Sequence, residues 1–333
     1  MPQQMEEGPR PDQVLCVEQP GMLTTVQDLG RPGRRASGVP PGGAMDRFAL
    51  AAANLLVGNA EGAAALECSL SGPSLSALSA CLVAVTGADL RPLLNGRPAP
   101  AWTGLFLAPG DRLEFGGRSM GARAYIAVSG GLAAERWLGS AATYLLAGRG
   151  GLHGRPLQAR DVLARAQPPA RPVVAGRVLP DALRPAYSDR PQLRAVPGPY
   201  LGRLPARDRR AFFREEWTVS GDADRMGYRL EGPALAAEGP ELVSFGVAMG
   251  CVQLPASGPI LLMADGGTAG GYPVIAAVAR CDLPLAAQLV PGDRLHFQET
   301  TVEAAQEGFR RQQAALSTLR GDRSQTGLTD GLA

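Results

Sequence analysis

Three short motifs occur twice in this chain, in the same order. Thr25-Val26-Gln27-Asp28-Leu29-Gly30-Arg31-Pro32-Gly33 returns, one residue longer, as Thr218-Val219-Ser220-Gly221-Asp222-Ala223-Asp224-Arg225-Met226-Gly227. Ser71-Gly72-Pro73-Ser74-Leu75 returns as Glu231-Gly232-Pro233-Ala234-Leu235. Leu107-Ala108-Pro109-Gly110-Asp111-Arg112-Leu113-Glu114-Phe115 returns as Leu289-Val290-Pro291-Gly292-Asp293-Arg294-Leu295-His296-Phe297. One Pro-Gly-Asp turn can recur by chance in a β protein, but three collinear pairs indicate duplication of one domain. The fold is thereby confined to two like units, for which 333 residues suffice.

Each unit reads as mostly β. Short apolar runs, such as 81–85 and 122–128, are bounded by Gly, Pro and Asp. Many short strands and few helices favour a closed barrel or sandwich over a doubly wound sheet. The expected division is a first barrel over 14–165, a linker or crossover arm over 166–191 and a second barrel over 192–300. The arm is rich in Pro and Arg and has no periodicity. Thr300 and Glu303 have capping-box spacing and predict a C-terminal helix over 301–320. Residues 1–13 and 321–333 are expected to be disordered.

One helix is marked clearly. Phe48, Ala51, Ala52, Leu55 and Leu56 form an apolar stripe at helical spacing, with Asp46 at the N-cap position and Gly58 just past its end. The loop before it, Gly38-Val39-Pro40-Pro41-Gly42-Gly43-Ala44-Met45, is stiff at its prolines and bare at its glycines. It delivers backbone N–H groups at a helix N-terminus, an arrangement that suits an anionic ligand group.

The residue inventory removes several chemistries. All 33 basic residues are arginine. Without lysine there is no lysine Schiff base and no lysine-bearing phosphate loop, and a cationic grip on substrate falls to Arg. Five cysteines without CxxC spacing and two histidines predict reduced thiols and no metal site. His153 lies in a glycine-rich turn, and His296 reads as a polar residue on a strand face. A formal charge of +2 gives no case for nucleic acid or membrane binding. No signal-peptide pattern opens the chain and no apolar run reaches membrane length, so a cytoplasmic location is expected.

Four constellations could carry chemistry. The turn at Asp28 and Arg31 presents a carboxylate and a guanidinium together, or forms a self-contained brace. The loop at Gly43 could hold a carboxylate or oxyanion with backbone donors. Asp265-Gly266-Gly267-Thr268-Ala269-Gly270-Gly271-Tyr272-Pro273 allows close backbone approach to a ligand, with Tyr272 able to stack on or hydrogen-bond a ring. Asp224 and Arg225 are the second-half counterpart of the Asp28 turn, so the two turns could line one cleft. Gln253 is a possible amide donor nearby. Asp282 reads as the structural N-cap of a short helix ending at Gln288.

These residues together resemble the allophanate hydrolase subunit 2 family. The likeness is carried by Val26 to Arg31, Gly38-Val39-Pro40, Gly43 to Asp46, Asn54, Val57-Gly58-Asn59 and Ala65-Leu66-Glu67. In the second half it is carried by Asp224 to Leu230, Gln253-Leu254-Pro255, Thr268, Gly270 to Pro273, Asp282 to Gln288 and Pro291-Gly292-Asp293. The family includes the C subunit of bacterial 5-oxoprolinase, the carboxyltransferase half of urea carboxylase and a sporulation-kinase regulator. The resemblance implies tandem cyclophilin-like β-barrels with a few short helices. It also implies partners: a subunit 1-like (B-type) protein and an A subunit of the LamB/YcsF type.

The leading function so implied is a C-type component of an ATP-dependent 5-oxoprolinase, opening a small cyclic amide. Arg31 or Arg225 would clamp the substrate carboxylate, the Gly43 loop would supply oxyanion donors, and Asp28 or Asp46 would move the proton. Gly38, Pro40, Gly43, Ala44, Gln253, Thr268, Gly270, Gly271 and Tyr272 would line the substrate site. ATP would be held by the glycine-loop backbone or with a partner. The first alternative is carboxyl transfer from carboxybiotin to a urea-like amide, which brings in biotin. The second is a non-catalytic regulator that binds a kinase-inhibitor-like subunit 1 partner. The chain departs from the family pattern with Gly42 in place of Ser, Gly266-Gly267 in place of Arg-Gln, and Val274 where Lys is common.

Overall fold

The second half closes on itself. The computed structural model describes residues 12–169 and 174–320. In it, seven strands form a barrel in the order Gln192–Pro197, Val274–Val278, Cys251–Gln253, Ile260–Leu262, Gly227–Glu231, Glu216–Val219 and Arg294–Glu299. The last strand pairs in parallel with the first, His296 opposite Gln192, and this seam closes the ring. Leu193, Trp217, Leu261, Ile275 and Phe297 fill the interior.

The first half is built from two sheets. The six-stranded sheet runs Val162–Ala164, Gln13–Gln19, Ser74–Ala77, Arg112–Phe115, Pro92–Leu94, Arg97–Pro98. The five-stranded sheet runs Leu23–Gln27, Ala65–Ser69, Met120–Val128, Cys81–Asp89, Gly104–Leu107. Val17, Leu66, Val83, Leu113 and Ile126 pack between them. Helix α1, Arg47–Leu56, covers the outer face of the five-stranded sheet, where Leu82, Ala84, Tyr125 and Ala127 meet Phe48 and Ala52. A sheet buried on both faces needs apolar residues at successive positions, which is why Cys81–Asp89 lacks alternation.

The duplication is visible in hydrogen bonds. In the first Pro-Gly-Asp turn Asp111 accepts from Ala108 N at 2.7 Å, and in the second Asp293 accepts from Val290 N at 2.9 Å. Each turn also exchanges backbone bonds with a strand of its own half, at Ala77 and Val219 respectively. Asp28 and Asp224 each accept from the N–H two residues on, Gly30 and Met226.

Helix boundaries follow local chemistry. Asp46 caps α1 by accepting from Ala49 N at 2.9 Å. Helix α2, Ala206–Arg214, seals one end of the barrel with Phe212. Asp282 precedes helix α3, Leu283–Ala286, but makes no side-chain cap. Its carboxylate is taken by Arg194, at 2.8 Å from Nε, which also anchors the first barrel strand. Helix α4, Val302–Ser317, is capped by Thr301 rather than Thr300, because the Thr301 hydroxyl is the one that reaches Ala304 N. Segments 1–11 and 321–333 lie outside the described residues, and Gln13 already belongs to a strand.

Apolar packing binds the halves together at two places. Met45, from the loop before α1, is buried in the core of the second barrel. Helix α4 leaves that barrel and returns to the first half, where Ala315 and Leu316, with Leu319 just beyond it, join the cluster around α1. Met45→Ala leaves a cavity at this junction and is expected to lower stability by about 2–5 kcal/mol. Urea unfolding of the purified chain measures it.

Candidate functional site

The two turns singled out in the sequence meet between the halves. The strand Leu23–Gln27 ends in the Asp28 turn, and that turn packs back to back against the loop before α1. Arg31 N donates to Pro41 O at 2.7 Å and Ala44 N to Asp28 O at 2.8 Å. Glycine is required on both sides of this contact. A Cβ on Gly30 would lie 2.5 Å from Pro41 O, and one on Gly43 would lie 2.5 Å from Gly30 N, with both residues at positive φ.

Arg225 enters from the other half. Its Nη2 donates to Gly43 O at 2.7 Å, its Nε to Asp265 at 2.7 Å, and its Nη1 to Glu67. Burial works against the Arg225 charge, but Glu67 and Asp265 outweigh it and push its pKa upward. Glu67 also accepts from Met45 N at 2.9 Å and from Tyr125 Oη at 2.6 Å. The Tyr125 oxygen in turn accepts from Asp46 N at 2.8 Å. Arg225 is therefore fully committed to protein partners.

Arg31 is not. It is 2% exposed, with Nη2 donating to Ala142 O, while Nε and Nη1 are buried without a hydrogen-bond partner among the described residues. Trp137 and Tyr144 stack on each other at 6.0 Å, and the guanidinium carbon lies 5.1 Å and 5.9 Å from their ring centres. Burial lowers the Arg31 pKa, and Asp28 and Asp265 work against that. Gly42 lets this side chain approach the loop backbone closely. A Cβ there would lie 2.7 Å from Arg31 Nη1 and 3.3 Å from Asp265 Oδ1.

The carboxylates of Asp28 and Asp46 are occupied. Asp28 accepts from Gly30 N at 2.7 Å, Ser140 Oγ at 2.6 Å and Ala141 N at 2.7 Å. Asp46 is fully buried and accepts from Ala49 N, from Tyr187 Oη at 2.6 Å and from Gln288 Nε2 at 3.1 Å. Desolvation pushes its carboxyl up to about 6 against these bonds. Of the loop N–H groups, Gly42 donates to Ala264 O, Ala44 to Asp28 O, Met45 to Glu67 and Asp46 to Tyr125. Pro40 is buried beside them, and Gly43 N–H is the donor in this stretch with no partner among the described residues.

The remaining candidates form separate groups. Gly38 and Thr268 line one cleft of about 710 Å³ with Arg35 and Cys251. Gln253 Nε2 is buried without a partner, and a Cβ on Gly270 would lie 2.7 Å from it. Gly270 pairs with Phe245 in the ribbon formed by Phe245–Gly246 and Ala269–Gly270. Gly271 and Tyr272 line a third depression of about 690 Å³ with Leu235 and Glu241. Tyr272 is half exposed and belongs to none of the contacts around Arg31. Among the described residues no group of three or more His, Cys, Asp or Glu is placed to hold a metal ion, and no helix is long and apolar enough to cross a membrane.

Sequence reading does not single out Trp137, Tyr144, Tyr125, Tyr187 or Gln288 as site residues. Gln288 bridges the halves with all of its amide capacity. It accepts from Ala122 N and Arg123 N and donates to Arg123 O and Asp46. The available signal is scarcity, since the chain has only three tryptophans and six tyrosines.

Residues 37–299 match the family described as carboxyltransferase domain, subdomain A and B. The chain is 36% identical over 298 residues to the C subunit of 5-oxoprolinase from Haemophilus influenzae, covering 89% of this chain and 94% of that one. It is 38% identical over 310 residues to the C subunit of 5-oxoprolinase from Escherichia coli, covering 92% and 97%. It superposes on the crystal structure of the K. lactis urea amidolyase with a TM-score of 0.89 at 28% identity, covering 93% of this chain and 20% of that one.

Asp46 sets a pH dependence of known sign. Its folded-state pKa, about 6, lies above the ordinary 3.8, so the folded state holds the proton more tightly. Its contribution to stability is full below about pH 4 and is lost as pH rises through 6. Asp46→Asn removes this dependence. The stability of wild type relative to Asp46→Asn is expected to fall by about 3 kcal/mol between about pH 4 and pH 7, read from urea unfolding across that range.

Proposed function

The chain belongs to the carboxyltransferase domain, subdomain A and B, family, and on that premise we propose that it serves as the C-type component of an ATP-dependent 5-oxoprolinase. The reaction would open the ring amide of 5-oxoproline with water, giving glutamate, and would require A-type and B-type partner subunits. One observation carries this reading: the correspondence with separate chains named as the C subunit of 5-oxoprolinase runs nearly end to end in both directions.

The geometry suits a small substrate bearing a carboxylate and an amide. Arg31 is the carboxylate clamp in this reading, because its Nε and Nη1 are desolvated and unpaired. Arg225 positions the loop instead of touching substrate. Gly43 N–H is the oxyanion donor that the loop retains. Proton transfer falls to Asp265, whose Oδ1 lies beside Gly42 and holds only a 3.3 Å bond to Arg225. Asp28 and Asp46 act as braces, since donors already fill their oxygens. ATP is assigned to the assembled complex, held with or by a partner.

The likeness to the urea amidolyase structure favours a second reading, in which the chain carries a carboxyl group from carboxybiotin to urea or a related amide. Here the same Arg31 and Gly43 groups would bind the amide acceptor. The chain spans only 20% of that protein, so biotin and its carrier would have to come from elsewhere.

The test is co-expression with A-type and B-type partner proteins, following 5-oxoproline loss and glutamate formation with ATP. Arg31→Gln is expected to lower kcat/KM by about 100-fold or more, the loss of about 3 kcal/mol from one charged, buried hydrogen-bonded contact. Assembly of the complex, checked by gel filtration, is expected to survive. An assembled wild-type complex without turnover overturns the reading. Biotin-dependent carboxylation of urea would replace it with the second.

A further inference from the structure

A cleft of about 660 Å³ opens between the halves, walled by the chain from Leu29 to Ala51, by the segment around Arg280 and by α4. Its size is that of a small-ligand site. Three guanidiniums line it, those of Arg35, Arg47 and Arg280. The one carboxylate in the lining, Glu61, is already taken by Arg320, with Nε at 2.6 Å.

Among the described residues, the three arginines have no carboxylate hydrogen-bond partner. Arg35 donates to Val247 O at 2.7 Å, Arg47 donates to Gly42 O at 3.3 Å, and Arg280 lies 4.4 Å from the ring centre of Phe309. Arg47 Nε is buried without a partner among the described residues. Burial and the charges of Arg280 and Arg35 lower the Arg47 pKa, so the three side chains are near enough to repel. Asp28 offsets this in part, but its oxygens already serve three donors. Like charges gathered over a partly desolvated cleft are unfavourable until an anion enters.

We infer that this cleft binds a phosphoryl group. Three guanidiniums without carboxylate partners supply more charge than one carboxylate needs, and their planar forks match the oxygens of a phosphoryl dianion. Phe48, Met249 and Leu316 line the cleft and offer apolar surface to whatever carries that group. The site is distinct from Arg31, which does not line the cleft and lies against Trp137 and Tyr144. It extends the oxoprolinase reading, because ATP-driven amide opening produces phosphate, but its support is the cleft and its test needs no turnover.

The experiment is isothermal titration of the full chain with inorganic phosphate, pyrophosphate and ATP in turn, with succinate as the carboxylate control. At least one phosphoryl ligand is expected to bind saturably, and about tenfold or more tighter than succinate. Arg280→Gln and Arg35→Gln are each expected to weaken it by about tenfold or more. Both residues are at least partly exposed, so these variants are expected to fold. Arg97→Gln, on an exposed strand of the first half, is expected to bind like wild type. Tightest binding of ATP would place the nucleotide here, and tightest binding of phosphate or pyrophosphate would place the released or transferred group. No saturable binding, equal affinity for succinate, or wild-type affinity in Arg280→Gln overturns the inference.

Discussion

The guanidinium of Arg225 meets two carboxylates and a loop carbonyl at one buried point between the halves. Glu67 and Asp265 come from opposite halves, and neither could sit out of water this close to the other without a cation between them. The same contact fixes Gly43 O, and through Glu67 it orders Met45 N and Tyr125. The loop conformation and the seating of Met45 in the second core follow from it. Loss of that cation would leave two charges buried and unpaired, a change costing about 3–5 kcal/mol.

The duplicated turns have diverged in use while keeping their frame. Asp28 and Asp224 still close the same kind of turn on their own backbone. The arginines beside them take opposite parts. Arg225 is consumed by ion pairs, and Arg31 keeps two nitrogens free under an aromatic pair. Duplication supplied two equivalent cationic turns, and the contact between halves needs only one.

Local chemistry is legible in the residues alone. The apolar stripe, the Asp46 cap and the paired Pro-Gly-Asp turns depend on neighbours within a few residues, and the sequence shows those neighbours. The states of Arg31 and Arg225 depend on partners far along the chain, 111 residues away for Ala142, 158 for Glu67 and 40 for Asp265. Nothing near Arg31 announces Trp137 and Tyr144, and nothing near Arg225 announces Glu67. The cap shift from Thr300 to Thr301 is out of reach for another reason: two adjacent threonines carry the same side chain, and only backbone direction decides which one points at Ala304 N. Gly42 shows the limit most clearly. In sequence it is a missing side chain, and in the fold it is the bare backbone against which Arg31 packs, beside Asp265.

Helix α4 ties the order of synthesis to the order of folding. The outer surface of α1, with Phe48 and Leu55, is completed by Ala315, Leu316 and Leu319 at the far end of the chain. A ribosome releasing the first half therefore exposes an apolar strip that nothing yet made can cover. The nascent chain must carry that strip unsatisfied until α4 emerges, and a separately expressed first half would carry it permanently. Although the ancestor of this chain was one repeated unit, the cores of the two copies now share side chains.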